Sequence, residues 1–167
     1  MKAAVVLLTC CALAAPALAG EPVGCDKFKW PLDKERAMLT SADTITVASG
    51  MKLALPLPVA VIVDLLPLAA AKLPVAPERA PRQANSFAGF ISVPAPAENG
   101  SYKITLSSEG WIDVIQADHF VKSGSHSGAM GCAGIRKSVK FDLAAAPFVV
   151  ELSSVPANKV GIAITGD

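Results

Sequence analysis

SYKITLSSEGWIDVIQADHFVKSGSHSGAMGCAGIRKSVKFDLAAAPFVVEL, residues 101–152, decides the fold of this chain. Apolar and polar residues alternate there in three runs, at 102–106, 139–143 and 148–152. A side-chain period of two places each apolar set on one face of a pleated strand. The intervening Lys103, Lys140 and Glu151 are therefore predicted to face solvent. One buried core is predicted from the apolar positions Tyr102, Ile104, Leu106, Val139, Phe141, Leu143, Phe148 and Val150.

Turn signals and further alternating runs extend this pattern along the chain. Trp111–Gln116 and Phe120–Lys122 are predicted to be strands joined by a polar hairpin connection, and Asn99-Gly100 is a typical turn pair. More strands are predicted over residues 43–48, 51–57, 59–65, 87–93 and 160–165. The predicted fold is all-β, a jelly-roll-like β-sandwich of about nine strands with one short N-terminal helix.

The first 19 residues, MKAAVVLLTCCALAAPALA, have the composition of a leader. A positive Lys2, an apolar run and Ala17-Leu18-Ala19 form the pattern of a secretory signal peptide with a small-residue cleavage site. A transmembrane helix is one alternative, but a span needs about 20 apolar residues and Pro16 breaks this run. A lipid anchor on Cys10 or Cys11 is another. We predict periplasmic or secreted localisation, with no membrane insertion after cleavage.

Two parts are predicted after the leader. Residues 20–42 form a docking segment that covers one edge of the sandwich, with Asp33 capping a short helix over 34–39. Residues 43–167 form a single β-sandwich domain. Cys25 and Cys132 remain after cleavage and are predicted to form a disulfide, as cysteine pairs in exported proteins usually do. A reactive or metal-binding thiol is the alternative.

The charge balance argues against two classes of partner. The chain has 15 basic and 14 acidic residues, and loss of Lys2 with the leader leaves 14 of each. Nucleic acid requires a basic footprint, and anionic lipid attracts polybasic segments. The predicted partner is a small molecule or an envelope protein.

A proline-rich segment, LPVAPERAPRQA, occupies residues 73–84. Its three prolines exclude regular secondary structure. Glu78, Arg79 and Arg82 make the segment charged, so it is either a solvated connector or a basic lip over a pocket.

Three motifs carry a family resemblance: GSYKITL at 100–106, FDL at 141–143 and FVVEL at 148–152. From Gly89 onward the chain resembles the prepeptidase C-terminal domain family of small exported jelly-roll-like β-sandwiches. The resemblance implies an accessory or binding module, with calcium in some members. This chain departs from that pattern in lacking an evident acidic calcium cluster.

Two other motifs, EGWID at 109–113 and GIRKSV at 134–139, are similar to segments of small exported proteobacterial proteins. Some of those proteins carry the label homogentisate 1,2-dioxygenase, and enzymes of that name bind iron through two histidines and a glutamate. In this chain His119 and His126, with Asp118, Asp113 or Glu109, could form a site of two histidines and one carboxylate for iron. The His-x-His spacing of cupin enzymes is absent.

The remaining candidate ligand-binding residues are Trp111, Asp113 and Arg136. Trp111 and Asp113 share a strand face and could line a polar groove, while packing of Trp111 inside the sandwich is the alternative. His119 and His126 are either metal ligands or two surface histidines beside a turn. No catalytic residue is assigned.

The predicted function is an exported, non-catalytic binding or accessory β-sandwich module, for which no cofactor is expected. The alternative is an iron-dependent dioxygenase-like enzyme that uses His119 and His126.

Export makes the first testable prediction. Because Ala17-Leu18-Ala19 is a cleavage pattern, mass spectrometry of periplasmic or secreted material should find a mature N-terminus at or near Gly20. Replacing Ala17 and Ala19 with bulky residues should slow this cleavage. A mature protein that retains Met1 would contradict the prediction.

Overall fold

The alternating runs of the sequence become the strands of two sheets in the computed structural model, which describes residues 20–81 and 83–167. The predicted leader lies outside the described residues. Within them the chain has eleven strands and a single α-helix, which confirms the all-β, jelly-roll-like sandwich. None of the described helices is long and apolar enough to cross a membrane.

The strands alternate repeatedly between the two sheets. One sheet has the order β1-β2-β11-β5-β9-β8, and the other has the order β3-β4-β10-β6-β7. Neighbouring strands are antiparallel except for β1 and β2, which run parallel. The strands are β1 Thr46–Ala48, β2 Val59–Asp64, β3 Leu66–Pro67, β4 Phe87–Val93, β5 Gly100–Leu106, β6 Trp111–Gln116, β7 His119–Phe120, β8 Ser123–Gly128, β9 Lys137–Leu143, β10 Phe148–Val155 and β11 Lys159–Gly166.

One apolar core fills the space between the sheets. All eight residues predicted for it are buried and belong to a single cluster. Phe141, the largest of the fully buried side chains, lies on β9 directly opposite Tyr102 of β5. The predicted strand register is therefore confirmed, because a shift by one residue would have turned every apolar side chain outward.

Some local predictions were wrong. Residues 51–57 do not form a strand; among them, Lys52 makes an isolated bridge to Ser92 of β4. The hairpin after β6 turns at Ala117 and Asp118, both with positive φ (51° and 63°), so β7 begins at His119 rather than Phe120. Strand β8 was not predicted, because its sequence SGSHSG has no apolar alternation.

The N-terminal docking segment covers a sheet face more than an edge. Val23 reaches the edge and bridges Met130, but helix α1, Asp33–Leu39, packs on the outer face of the six-stranded sheet against β11 and β2. The helix N-cap is Leu32, so the predicted cap at Asp33 is wrong. Asp33 instead lies in the first turn, 3.4 Å from the Arg36 guanidinium.

The predicted disulfide is present and fastens this segment. Cys25 and Cys132 are joined with an S–S distance of 2.07 Å and a Cα–Cα distance of 4.8 Å. Cys132 packs with Leu32 and Ile135 in a second, smaller apolar cluster. The bridge therefore ties residues before α1 to the loop before β9.

Both outer faces of the sandwich are covered, which corrects the prediction for three polar residues. Glu151 is only 1% exposed, under the proline-rich segment. The side chains of Lys103 and Lys140, on the other face, are 14% and 23% exposed beneath the docking segment. A period of two indicates which residues point away from the core, but not whether another segment covers them.

The core makes a prediction about stability. Phe141→Ala should lower the free energy of unfolding by about 3–5 kcal/mol, because it removes buried area and leaves a cavity. Asp142→Ala is the matched control: Asp142 is exposed on the same strand, and its loss should change stability by no more than about 0.5 kcal/mol. Urea unfolding of both variants checks this. Equal effects would contradict the assigned register.

The disulfide makes a second prediction. It closes a loop with a sequence separation of 107 residues, and such a closure stabilises by up to about 4 kcal/mol in the chain-entropy view. Cys25→Ala, Cys132→Ala and the double variant should therefore have similarly lowered melting temperatures in calorimetry. An unchanged melting temperature in the double variant would show that the bridge does not stabilise the fold.

Candidate functional site

A row of polar side chains lies on the outer face of the five-stranded sheet. Strands β6 and β10 run side by side there, with Asp113 opposite Glu151 and Trp111 opposite Ser153. Ile112 and Val114, the alternate residues of β6, point into the core, which turns Trp111 and Asp113 outward. Side chains directly opposite each other have Cβ atoms about 4.5–5.5 Å apart. The two carboxyl groups are therefore close neighbours.

The proline-rich segment covers this row. We call residues 73–81 the outer strap. The backbone N–H of Val75 donates to Glu151 Oε1 at 2.9 Å, and the N–H of Glu78 donates to Asp113 Oδ2 at 3.2 Å. Each donor follows a proline, in a Pro-x-x-Pro spacing typical of polyproline II, where residues three apart lie on one side. The strap is thus held to the sheet by carboxylates instead of by a β-ladder.

Trp111 lies between the strap and the sheet. Its Nε1–H donates to Asp113 Oδ1 at 2.8 Å. The Arg79 guanidinium lies 4.2 Å from the indole centroid, and Lys137 Nζ lies 4.9 Å from it, both within cation–π range. Of the two sequence interpretations of this tryptophan, packing inside the sandwich is wrong. Arg79 of the strap lies over this indole, and the interpretation of the strap as a basic lip over a pocket stays a prediction.

Asp113 and Glu151 are buried acids. Asp113 is 4% exposed and Glu151 is 1% exposed. Burial raises the pKa of Asp113, and the Glu78 carboxylate raises it further against the hydrogen bonds from Trp111 and the Glu78 backbone. Burial likewise raises the pKa of Glu151, to which the negative charge of Asp113 adds. Both groups therefore hold a proton more readily than ordinary carboxylic acids.

Two polar atoms in this row have no hydrogen-bond partner among the described residues: Glu151 Oε2 and Ser153 Oγ. Ser153 is 2% exposed and lies two residues from Glu151 on the same face of β10. Buried polar atoms in native proteins almost always have partners. Two unpartnered polar atoms on one strand face therefore set this cluster apart from ordinary structural packing.

A third buried acid, Glu35, provides the contrast. It extends from α1 onto the outer face of the other sheet, where the Thr165 hydroxyl donates to Oε1 and Lys103 Nζ lies 3.1 Å from the same oxygen. Burial alone would raise the pKa of Glu35, but these bonds and its backbone hydrogen bond together lower the pKa. Glu35 is thus a partnered structural carboxylate.

The other predicted site residues lie elsewhere. His119, exposed on β7, pairs with Gln116 at the far end of β6 from Trp111, while His126 is exposed on β8 in the other sheet. Arg136 does not join Asp113; it pairs with Glu21 and with Glu109, at 2.6 Å from the latter. Across residues 20–81 and 83–167, no three His, Cys, Asp or Glu side chains form a group suited to a metal ion.

Sequence reasoning missed half of this cluster. It identified Trp111 and Asp113 but placed Glu151 in solvent and did not consider Ser153. The missing information is the pairing of β6 with β10, strands separated by more than thirty residues of chain. The charged Pro-x-x-Pro segment was the available signal for a cover, but it does not indicate which face it covers.

No family model, curated protein or solved structure matches this chain. The functional argument therefore depends on the geometry of the cluster.

The two buried glutamates predict opposite effects of pH. The pKa of Glu151 is raised on folding, so burying its ionised carboxylate lowers the free energy of unfolding. This loss is complete above the raised pKa and disappears as pH falls towards the ordinary 4.5. Glu151→Gln should therefore raise the free energy of unfolding at neutral pH and flatten its decline with rising pH. The amide oxygen retains an acceptor for Val75. Urea unfolding across the pH range is the measurement.

Glu35→Gln is the matched control. The pKa of Glu35 is lowered, so its stabilising contribution is present above the ordinary value and is lost as pH falls through the lowered one. This variant should lose about 1–3 kcal/mol at neutral pH, because Lys103 loses its buried charged partner. Stability changes of the same sign in both variants at neutral pH would contradict the assignment.

Proposed function

We propose that this protein is an exported, non-catalytic binding module whose ligand binds at Trp111, Asp113 and Glu151 when the outer strap lifts. The observation that carries the proposal is the buried pair of carboxyl groups with Glu151 Oε2 and Ser153 Oγ unpartnered. Clusters of acids with raised pKa are concentrated at functional sites.

The energetics support a role beyond structure. Burying an unpartnered carboxylate oxygen costs stability, and well-packed apolar residues at such positions are often neutral or stabilising. The pair lies outside the core, which fills the opposite side of these strands. Residues that break the folding rules without compensation are most often kept for function.

The strap itself indicates the chemistry of the ligand. It places the Arg79 guanidinium on the indole face of Trp111 and directs two N–H donors at the carboxylates. A ligand that replaces these contacts would carry a positive charge and N–H donors, because carboxylates bind charged donors most strongly and indoles bind cations. We therefore infer a small amine- or guanidine-bearing ligand.

One observation favours binding over catalysis, and a second favours export over retention in the cytoplasm. Neither His119 nor His126 belongs to the described cluster, so no imidazole is placed beside Ser153 as a general base. The Cys25–Cys132 disulfide fits an oxidising compartment, in agreement with the leader-like residues 1–19.

Agmatine tests this function, because it combines a guanidinium group with an amine. Butanediol, of similar length but uncharged, is the control compound. Agmatine should shift the Trp111 indole N–H resonance in NMR spectra and leave that of Trp30, in the docking segment over the other sheet, in place. Glu151→Gln should weaken the binding about tenfold or more, since it removes a charged acceptor.

Glu35→Gln is the control variant for this experiment and should bind agmatine as the wild type does. Equal responses to agmatine and butanediol, or equal affinity in Glu151→Gln and the wild type, would overturn the proposed ligand site.

A further inference from the structure

The outer strap closes over groups that repel one another when they are ionised. Asp113 and Glu151 lie opposite each other on neighbouring strands, and Glu78 brings a further negative charge close to Asp113. Glu78 itself is exposed, whereas Asp113 and Glu151 are buried in a region that excludes water. In such a region, two adjacent carboxylates do not ionise independently, and the pair retains a proton to a higher pH.

Two positive groups lie near the pair, both close to the Trp111 indole. Arg79, from the strap, lies over the Trp111 indole, and Lys137, from β9, donates to the Gly110 carbonyl at 3.0 Å and lies near the same indole. Lys137 attracts Asp113, but this is the smallest of the effects on that carboxyl group. Strand β4, on the other side of β10, places the uncharged Phe90 beside Glu151.

The closed strap is compatible with a carboxyl pair that carries one proton. With one proton on the pair, Glu151 Oε2 can donate to the neighbouring carboxylate, while the oxygens nearest the strap accept from Val75 and Glu78. Without that proton, two negative charges remain in a dry environment, and their free energy is lowered by water that enters as the strap lifts.

We propose that a proton shared by Asp113 and Glu151 holds the outer strap closed, and that its loss to solvent opens the strap over the ligand site. This regulation builds on the proposed function: the site is closed at acidic pH and becomes accessible as pH rises. The reaction is a simple acid dissociation, in which the O–H bond breaks and the proton goes to water.

Amide hydrogen exchange of Val75 and Glu78 tests the proposal in the wild-type protein without ligand. After correction for the intrinsic rate, protection at both amides should fall by about tenfold per pH unit between the ordinary carboxyl pKa of the open state and the raised pKa of the closed pair, because one proton is released for each opening in that range. Lys29 is the internal control. Its N–H is also held by a side chain, the Ser127 hydroxyl at 2.9 Å, which does not titrate in this range.

Variants distinguish the effect of the shared proton from that of the other contacts that hold the strap. Glu151→Gln and Asp113→Asn should each make protection at Val75 and Glu78 independent of pH, because neither leaves a carboxyl pair. Glu35→Gln, on the other sheet, should retain the wild-type dependence. In parallel, the Trp111 indole N–H resonance should titrate with the strap, since its acceptor is Asp113 Oδ1.

Protection that is constant with pH in the wild type, or that rises with pH, would overturn the proposal. So would a pH dependence that persists in Glu151→Gln. These measurements contain no ligand, so failure of agmatine binding with an intact pH dependence would disprove only the ligand site. Agmatine binding with constant protection would disprove only the proton-controlled strap.

Discussion

The apolar layer between the two sheets is the constraint on which the remainder of this structure depends. Residues that alternate along a strand must point to opposite sides, so each side chain given to the core sends its neighbour outward. Because the Phe141 side chain points into the core, that of Lys140 must point outward. Because Leu152 points into the core, Glu151 and Ser153 must point outward. The composition of both outer faces is thus a consequence of the core register.

Both outer faces are then covered, by different means. The docking segment lies over the six-stranded sheet and is fastened by a disulfide, a helix and the partnered carboxylate of Glu35. The outer strap lies over the five-stranded sheet and is held there by two N–H donors and a stacked guanidinium. The docking segment is therefore held by a covalent bond and a partnered carboxylate, whereas the outer strap is held by two carboxyl groups whose pKa values are raised.

This difference explains why the pKa is lowered for one buried glutamate and raised for the other. Glu35 receives a hydroxyl and an ammonium group, which outweigh the cost of burial. Glu151 receives one backbone N–H and faces another acid, so burial dominates. A carboxyl group with so few partners can exchange its contact with the strap for a ligand or a proton. Our proposals for ligand binding and for its control by pH depend on this property of Glu151.

The amino-acid sequence by itself determined the strand faces, the core and the sandwich class, because a period of two and the near-neighbour turns are local properties. It also determined the cysteine pair, because only Cys25 and Cys132 follow the predicted leader. Trp111 and Asp113 could be assigned to one face for the same reason. Arg136 and the two histidines, by contrast, were grouped with them only by proximity along the chain, and the fold separates them.

Only the tertiary structure decided that Glu151 lies opposite Asp113, that Ser153 joins them, and that the segment around Val75 and Glu78 covers all three. Strand pairing between distant segments and the path of a proline-rich connection depend on how the whole chain closes around its core. No local pattern encodes either, because proline excludes regular structure without specifying what the chain then contacts.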